Sequence, residues 1–318
     1  MRRDRDLSYN PRRMSRRRGH AAGLSSLPLA AGLAGAILFS AFATPALAIT
    51  PDLTFGINYE QGPYLGTEDV GLGELYLLTE GGSPNGRISL RIPYTRIDRT
   101  GLVTYAADGP IILGAGGPGK PLWQESEADT SEADLGDLLL RYEIPLARAG
   151  GGNKPAFTFY LDYKYGMADE KKGLGTGESD WGGGLDYTQP LGKVLQFLVS
   201  GSYHFMGSPD SPLTVTSLEK VEFKNRLRIQ GGFGLVTSKF HWRFIGESVS
   251  PVLDEVPVFD ALGLPTGLLA EVEDYRVVRG EMVYRSKAGG STRLYVLTGL
   301  NDSSPDIGFG LSFSSRAQ

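Results

Sequence analysis

The sequence predicts an all-β fold, an antiparallel transmembrane β-barrel of about twelve strands, within a range of about ten to fourteen. Three observations predict it. Apolar and polar residues alternate with a period of two through most of the chain after residue 50. Most alternating runs have the length of a tilted strand that crosses a bilayer. The connections between the runs are alternately long and short, as in barrels with long external loops and short periplasmic turns.

The runs follow in order. Residues 52–60 set Leu53, Phe55, Ile57 and Tyr59 against Thr54, Gly56, Asn58 and Glu60. Residues 71–80 alternate weakly. Residues 87–95 oppose Ile88, Leu90, Ile92 and Tyr94 to Arg87, Ser89 and Arg91, and residues 135–146 oppose Leu138, Leu140, Tyr142 and Ile144 to Arg141 and Glu143. Residues 156–166 set Phe157, Phe159, Leu161 and Tyr163 against Asp162 and Lys164. Residues 180–189 and 194–206 continue the pattern. In residues 221–236, Val221, Phe223, Leu227, Ile229 and Phe233 oppose Lys224, Arg226 and Arg228. In 239–249, Phe240, Trp242 and Phe244 oppose His241, Arg243 and Glu247. Residues 272–285 and 291–300 are weaker, and a parity slip in the first of them has the form a bulge produces. Ile307, Phe309, Leu311 and Phe313 close the series over 306–314.

The intervening connections are 61–70, 81–86, 96–134, 147–155, 167–179, 190–193, 207–220, 237–238, 250–271, 286–290 and 301–305. The odd-numbered ones are long, except the last. An even strand number places both termini on the periplasmic side. A soluble sandwich or lipocalin-like barrel also alternates, with its apolar parity as the core. Strand length, loop alternation and an export signal favour the membrane barrel. In hydrocarbon only a closed sheet satisfies every backbone group.

The export signal occupies residues 1–48. Eight arginines lie between Arg2 and Arg18, an apolar run spans Ala21 to Ala43, and Pro45-Ala46-Leu47-Ala48 has the small-x-small form of a cleavage site at Ala46 and Ala48. Ser15-Arg16-Arg17 hints at twin-arginine export. The barrel domain is then 49–318. The leader carries a net +6 from eight arginines against Asp4 and Asp6, so a total of −4 leaves −10 for the remainder. That acidity argues against nucleic acid as a partner. There are 44 glycines, about twice the usual share. The chain has no cysteine and three histidines, one of them in the leader, so a His/Cys metal centre is not expected. No cofactor is expected either.

Residues 173–192 read GLGTGESDWGGGLDYTQPLG. A dinucleotide fingerprint would need glycine at Glu178, and a P-loop would need a Lys-Ser/Thr pair and a following helix. Neither is present, so the stretch reads as a loop entering a strand. Its residues Gly173, Gly175, Gly177, Asp180 and Trp181 resemble a Gly-x-Gly-Thr-Gly-x-x-Asp-aromatic signature. That signature belongs to the outer-membrane transporters grouped as the "MetA-pathway of phenol degradation" family. Tyr203-His204-Phe205-Met206-Gly207 is similar to the aromatic-Gly ending of the next strand in that family. The resemblance covers about 35 residues. It implies an outer-membrane barrel of a Gram-negative bacterium, associated with uptake of aromatic or other small organic compounds. One departure is that Phe313 is followed by Ser314-Ser315-Arg316-Ala317-Gln318, whereas barrel proteins often end on an aromatic that assists assembly.

On the barrel reading, Arg87, Arg91, Arg141, Glu143, Asp162, Lys164, Lys224, Arg226, Arg228, Arg243 and Glu247 face the interior. Opposed charges in a lumen tune solute selectivity. Lys224-Arg226-Arg228 is the densest basic ladder and the expected anion-favouring constriction; the blander role for all of these residues is to cross-brace a plugged interior. Loop 96–134 is long enough to fold inward. Its acidic run from Glu125 to Asp137 lacks EF-hand spacing, so a solvated external loop, bridged to surface lipid by divalent ions, is expected. The partners expected are membrane lipid and lipopolysaccharide, a small-molecule solute and the outer-membrane assembly machinery. The function expected is passive diffusion of small organic solutes, aromatic or anionic. A non-transporting structural barrel is the alternative. A barrel hydrolase ranks below both, because only His204 and His241 remain as bases and no G-x-S-x-G motif is present.

Overall fold

The computed structural model describes residues 51–316 apart from 67–68, 84, 99–102, 107–108, 117–130, 149–152, 210–221, 263 and 288. The predicted leader and cleavage site, and the acidic run as far as residue 130, lie outside the described residues. Twelve long strands among the described residues build the wall. They are β1 (Asp52–Gly62), β2 (Val70–Ser83), β3 (Gly86–Asp98) and β4 (Leu138–Ala147). Next come β5 (Ala156–Tyr165), β6 (Asp180–Leu191), β7 (Leu195–Phe205) and β8 (Arg226–Val236). The last four are β9 (Phe240–Val249), β10 (Tyr275–Arg285), β11 (Ser291–Gly299) and β12 (Ile307–Arg316). Each pairs antiparallel with its neighbours in sequence, and β1 pairs with β12, from Asp52 opposite Arg316 to Gln61 opposite Ile307. The sheet is therefore closed and has no edge.

The side chains show which face is which. Phe55, Trp181, Leu185, Ile229, Phe233, Phe244, Val296 and Phe313 are all more than two-fifths exposed on the outer parity. Their inward neighbours Thr54, Asp162, Ser202, His204 and Glu247 are buried. A soluble fold would reverse this. An apolar exterior around a polar interior is what hydrocarbon solvent selects. Exposed aromatics gather near strand ends: Trp181 stacks on Phe205 with ring centres 4.1 Å apart, and Phe240 packs with Trp242 and Tyr284.

The two ends of the barrel differ. One holds both ends of the described chain and the short connections after β2, β4, β6, β8 and β10. The other, the loop end, holds the connections after β1, β3, β5, β7, β9 and β11, the longest among them. At the loop end the strand that continues from β4 breaks at Gly136: residues Glu132–Leu135 pair with Tyr94–Ile97 of β3, and β4 pairs lower with Arg87–Arg91. Pro93 sits at the break and has no N–H to give; its carbonyl instead accepts from Gly136 N at 3.0 Å. Beside it, the hydrogen bond between Lys172 and Asp134 raises the lysine pKa and lowers that of the carboxyl.

The described part of the connection from β3 to β4 turns inward. Residues Val103–Ala106 and Gly109–Ile112 form a hairpin, and Ala115–Gly116 pairs in parallel with Val258–Phe259. Val103, Ile112 and Ala115 join one apolar core with Val70, Leu72 and Ile97 of the wall, and with Val256 and Phe259 of the connection after β9. A solvated external loop is thus the wrong description of residues 103–106 and 109–116: the side chains of Val103, Ile111 and Ile112 find apolar partners in the barrel mouth.

The same core explains a second correction. β10 carries no bulge, since its register is unbroken against both β9 and β11. Its parity slips in sequence because Tyr275 and Val277 are apolar on the inward face, where they pack on the infolded segment. The register shift in the wall lies instead between Pro145 and Ala147 of β4.

Candidate functional site

The lumen is the candidate site. Three cavities of about 220, 320 and 230 Å³ are lined by its polar parity. The first lies under the infolded segment, with Pro110 above and Glu60, Glu74, Arg91, Arg228 and Arg279 around it. The second is lined by Arg141, Asp186, Arg228, Arg243 and Arg279. The third is lined by Arg91, Arg243, Arg279, Glu281 and Arg293. Arg279 borders all three.

Most of the predicted lumen residues converge there, as ion pairs. Arg141 holds Asp162 through Nε and a terminal nitrogen at 2.7 and 2.9 Å, and His204 Nε2 approaches the same carboxylate at 3.2 Å. Arg228 meets Glu247 at 2.8 Å, and Gln230 donates to the other Glu247 oxygen at 2.7 Å. Arg91 pairs with Glu74, which also accepts from Asn58. Arg243 and Arg293 share Glu281 at 3.3 and 3.8 Å. Glu143 lies in register with Arg87 and Tyr160. Arg87 sits near the opposite end from the loops, largely exposed, 3.9 Å from Glu80.

The predicted basic ladder dissolves. β8 begins at Arg226, so Lys224 precedes the wall; it is exposed and pairs with Asp254. Arg226 is 2% exposed and donates to the carbonyls of Ser250 and Pro110 at 3.2 and 3.3 Å. Of the three, Arg228 alone borders the cavities. The alternation that suggested the ladder continues past the point where the strand starts.

Lys164 and the glycine-rich loop form a buried clasp. Lys164, 1% exposed, reaches Asp180 at 2.8 Å, Asp137 at 3.2 Å and Thr176 at 2.9 Å. Asp180 also accepts from Gly207 N, and Asp137 from Met167 N and Ala168 N. Glycine is required where the loop is tight: Gly177 has φ +68°, and a Cβ on Gly175 would crowd Ala168 and Asp137. Gly173 has φ 72° and ends a single 3-10 turn, Glu170–Lys172. Trp181 faces outward. Asp180 and the signature glycines thus help lock three loops together at one end of the barrel and line none of the three cavities, whereas their partners Lys164 and Asp137 line the first.

Sequence reasoning missed Tyr76, Tyr160, Arg279, Glu281, Arg293 and Tyr295. All but Tyr160 lie on strands that alternate weakly, because tyrosines and apolar residues share the inward parity with charges; Tyr160 lies on a clearly alternating strand, as an aromatic at a polar-parity position. The pattern they make is regular. Tyr76, Tyr160 and Tyr295 each pair directly with an inward glycine on one neighbouring strand: Gly56, Gly184 and Gly310. A Cβ on any of these glycines would overlap the ring. On the other neighbouring strand an arginine covers each ring: Arg91 at 4.1 Å, Arg141 at 4.2 Å and Arg279 at 5.8 Å. The lumen wall carries three Gly–Tyr–Arg units.

No family model matches the chain, and no curated protein matches it. The likeness to the phenol-degradation family therefore rests on its motif residues alone. Solved structures do match. The crystal structure of the COG4313 outer membrane channel from Pseudomonas putida F1 is similar over 86% of this chain and 97% of its own, with a TM-score of 0.58 and 10% identity. A NanC porin structure in a rhombohedral crystal form is similar over 83% of this chain and 100% of its own, with a TM-score of 0.48 and 8% identity. The first likeness establishes the fold, a closed antiparallel barrel of the outer-membrane kind.

Proposed function

We propose that the chain is an outer-membrane β-barrel that passes small organic solutes, anions above all, by passive diffusion. The observation that carries this is the bordering of three lumen cavities by a cluster of arginines, with Arg279 on the wall of each. Two of the volumes lie below the lower limit of about 300 Å³ for sites that take drug-sized ligands and the third, 320 Å³, is just above it, which suits small solutes. The motif likeness adds aromatic compounds as a class. On this reading residues 1–48 are a signal peptide cut after Ala48, the termini are periplasmic, and the long loops meet lipopolysaccharide. The assembly machinery inserts the barrel, and diffusion needs no cofactor.

Solute-dependent swelling of liposomes that hold the folded barrel tests the proposal. Entry of benzoate faster than a neutral sugar of similar size is the expected result. A second reading, a closed structural barrel, is favoured by the apolar packing of Val103, Ile112 and Ala115 in the loop-end mouth. Folded barrels that give no swelling with any solute would select it.

A further inference from the structure

Three arginine–tyrosine stacks line the lumen, and they are not equivalent. In the first two units the arginine is also held by a carboxylate placed two residues from the tyrosine on the same strand. Arg91 has Glu74, two before Tyr76, and Arg141 has Asp162, two after Tyr160. In the third unit those two positions are Arg293 and Leu297. Arg279 is directly opposite Leu297, where Arg141 is directly opposite Asp162.

The nearby acids are occupied. Glu281 is held by Arg243 and Arg293, Glu247 by Arg228 and Gln230, and Glu60 accepts from the Tyr275 and Tyr64 hydroxyls. Arg279 makes no salt bridge among the described residues, which sets it apart from Arg91 and Arg141; its Nε, like that of Arg91, is buried without a hydrogen-bond partner. A buried guanidinium nitrogen left unpaired is costly unless something completes it. Its planar fork matches a carboxylate bidentately. The Tyr295 ring borders the first and third cavities beside it, an apolar face next to the charge.

We propose that Arg279, with the face of Tyr295, is the lumen's binding site for the carboxylate group of a small organic acid. The solute supplies the carboxylate that Glu74 and Asp162 supply in the other two units. Selectivity for organic acids then comes from a bound intermediate in the lumen, and the solute saturates it. This rests on the diffusion reading for its role, though binding itself is measured apart from flux.

The test is calorimetric titration of the folded, detergent-solubilised full barrel with sodium benzoate and, in parallel, benzamide. Planar-bilayer conductance is recorded in the same solutes. The expected result is saturable benzoate binding, no benzamide binding, and affinity weakened at least about tenfold in Arg279→Gln, the loss of one charge-assisted pair. Arg279→Lys keeps the charge without the fork, and retains part of the affinity. It also serves as the informative variant if the glutamine protein does not fold. Benzoate binding unchanged in both variants, or equal binding of benzamide, overturns the site while leaving the channel reading intact. Binding lost in the variants but no conductance in the parent keeps the site and overturns the channel.

Discussion

Arg226 donates a terminal guanidinium N–H to the carbonyl oxygen of Pro110 at 3.3 Å, fastening the first residue of β8 to the segment folded into the barrel mouth. Its Nε donates to Ser250 O at 3.2 Å, so a single side chain ties the wall to two loops. Both acceptors would lose a charged donor in Arg226→Ala, at about 1.5–3 kcal/mol each. The apolar packing of Val103, Ile112 and Ala115 would remain. The expected outcome is a barrel that still folds, with higher mean conductance and more opening noise in single-channel records. Identical records from the variant and the parent would mean the segment does not obstruct the path.

The clasp around Lys164 makes a stability prediction. Lys164→Met keeps much of the volume but strands the carboxylates of Asp180 and Asp137 in a buried site. Removing one partner of a buried pair costs about 3–5 kcal/mol. Guanidinium unfolding of the variant in detergent micelles should show a loss of that order. Adding Asp180→Asn should recover part of it, because the two residues share one interaction. A loss below about 1 kcal/mol would show that the clasp is no more than a surface pair.

The exterior makes another. Leu185 is at the middle of β6, 42% exposed on the outer face. In a bilayer, Leu185→Arg places a charge near the midplane at about 2–4 kcal/mol. On a water-facing sheet it would be close to neutral. Folding equilibria in lipid vesicles separate the two. A cost near zero would take the apolar band out of hydrocarbon and with it the membrane reading.

Much of this was legible in advance because a barrel wall obeys one rule along its whole length. Leu53, Phe55 and Ile57 alternate with Thr54 and Gly56 for the same reason that Phe309 alternates with Gly308 and Gly310, so strand positions followed from parity. The rule fails where the inward face stops meeting water. Tyr275, Val277 and Leu297 are apolar and inward, because a loop remote in sequence packs on them. No local pattern carries that information. Lys224 fails for the opposite reason: alternation persisted into a loop. The Gly–Tyr–Arg units were invisible because each is spread over three strands, and only register brings Gly310, Tyr295 and Arg279 together.

The balance of charge in the lumen is set by few acids, and Glu281 is the one whose removal frees the most. It is buried, and it stands between Arg243 at 3.3 Å and Arg293 at 3.8 Å. Both arginines border the third cavity, together with Arg91 and Arg279. Glu281→Gln keeps the shape and deletes one negative charge, leaving two arginines without their shared partner. A unit charge about 4 Å from a passing ion is worth about 1 kcal/mol in water-like surroundings, a change of about fivefold in relative permeability. In a potassium chloride gradient the reversal potential should therefore move toward that of chloride, and less so at high salt, where screening shortens the reach of the charge. A reversal potential that stays where it was would mean that ions pass without approaching this part of the wall. The arginine cluster would then be cross-bracing, and the path for solutes would have to be sought elsewhere.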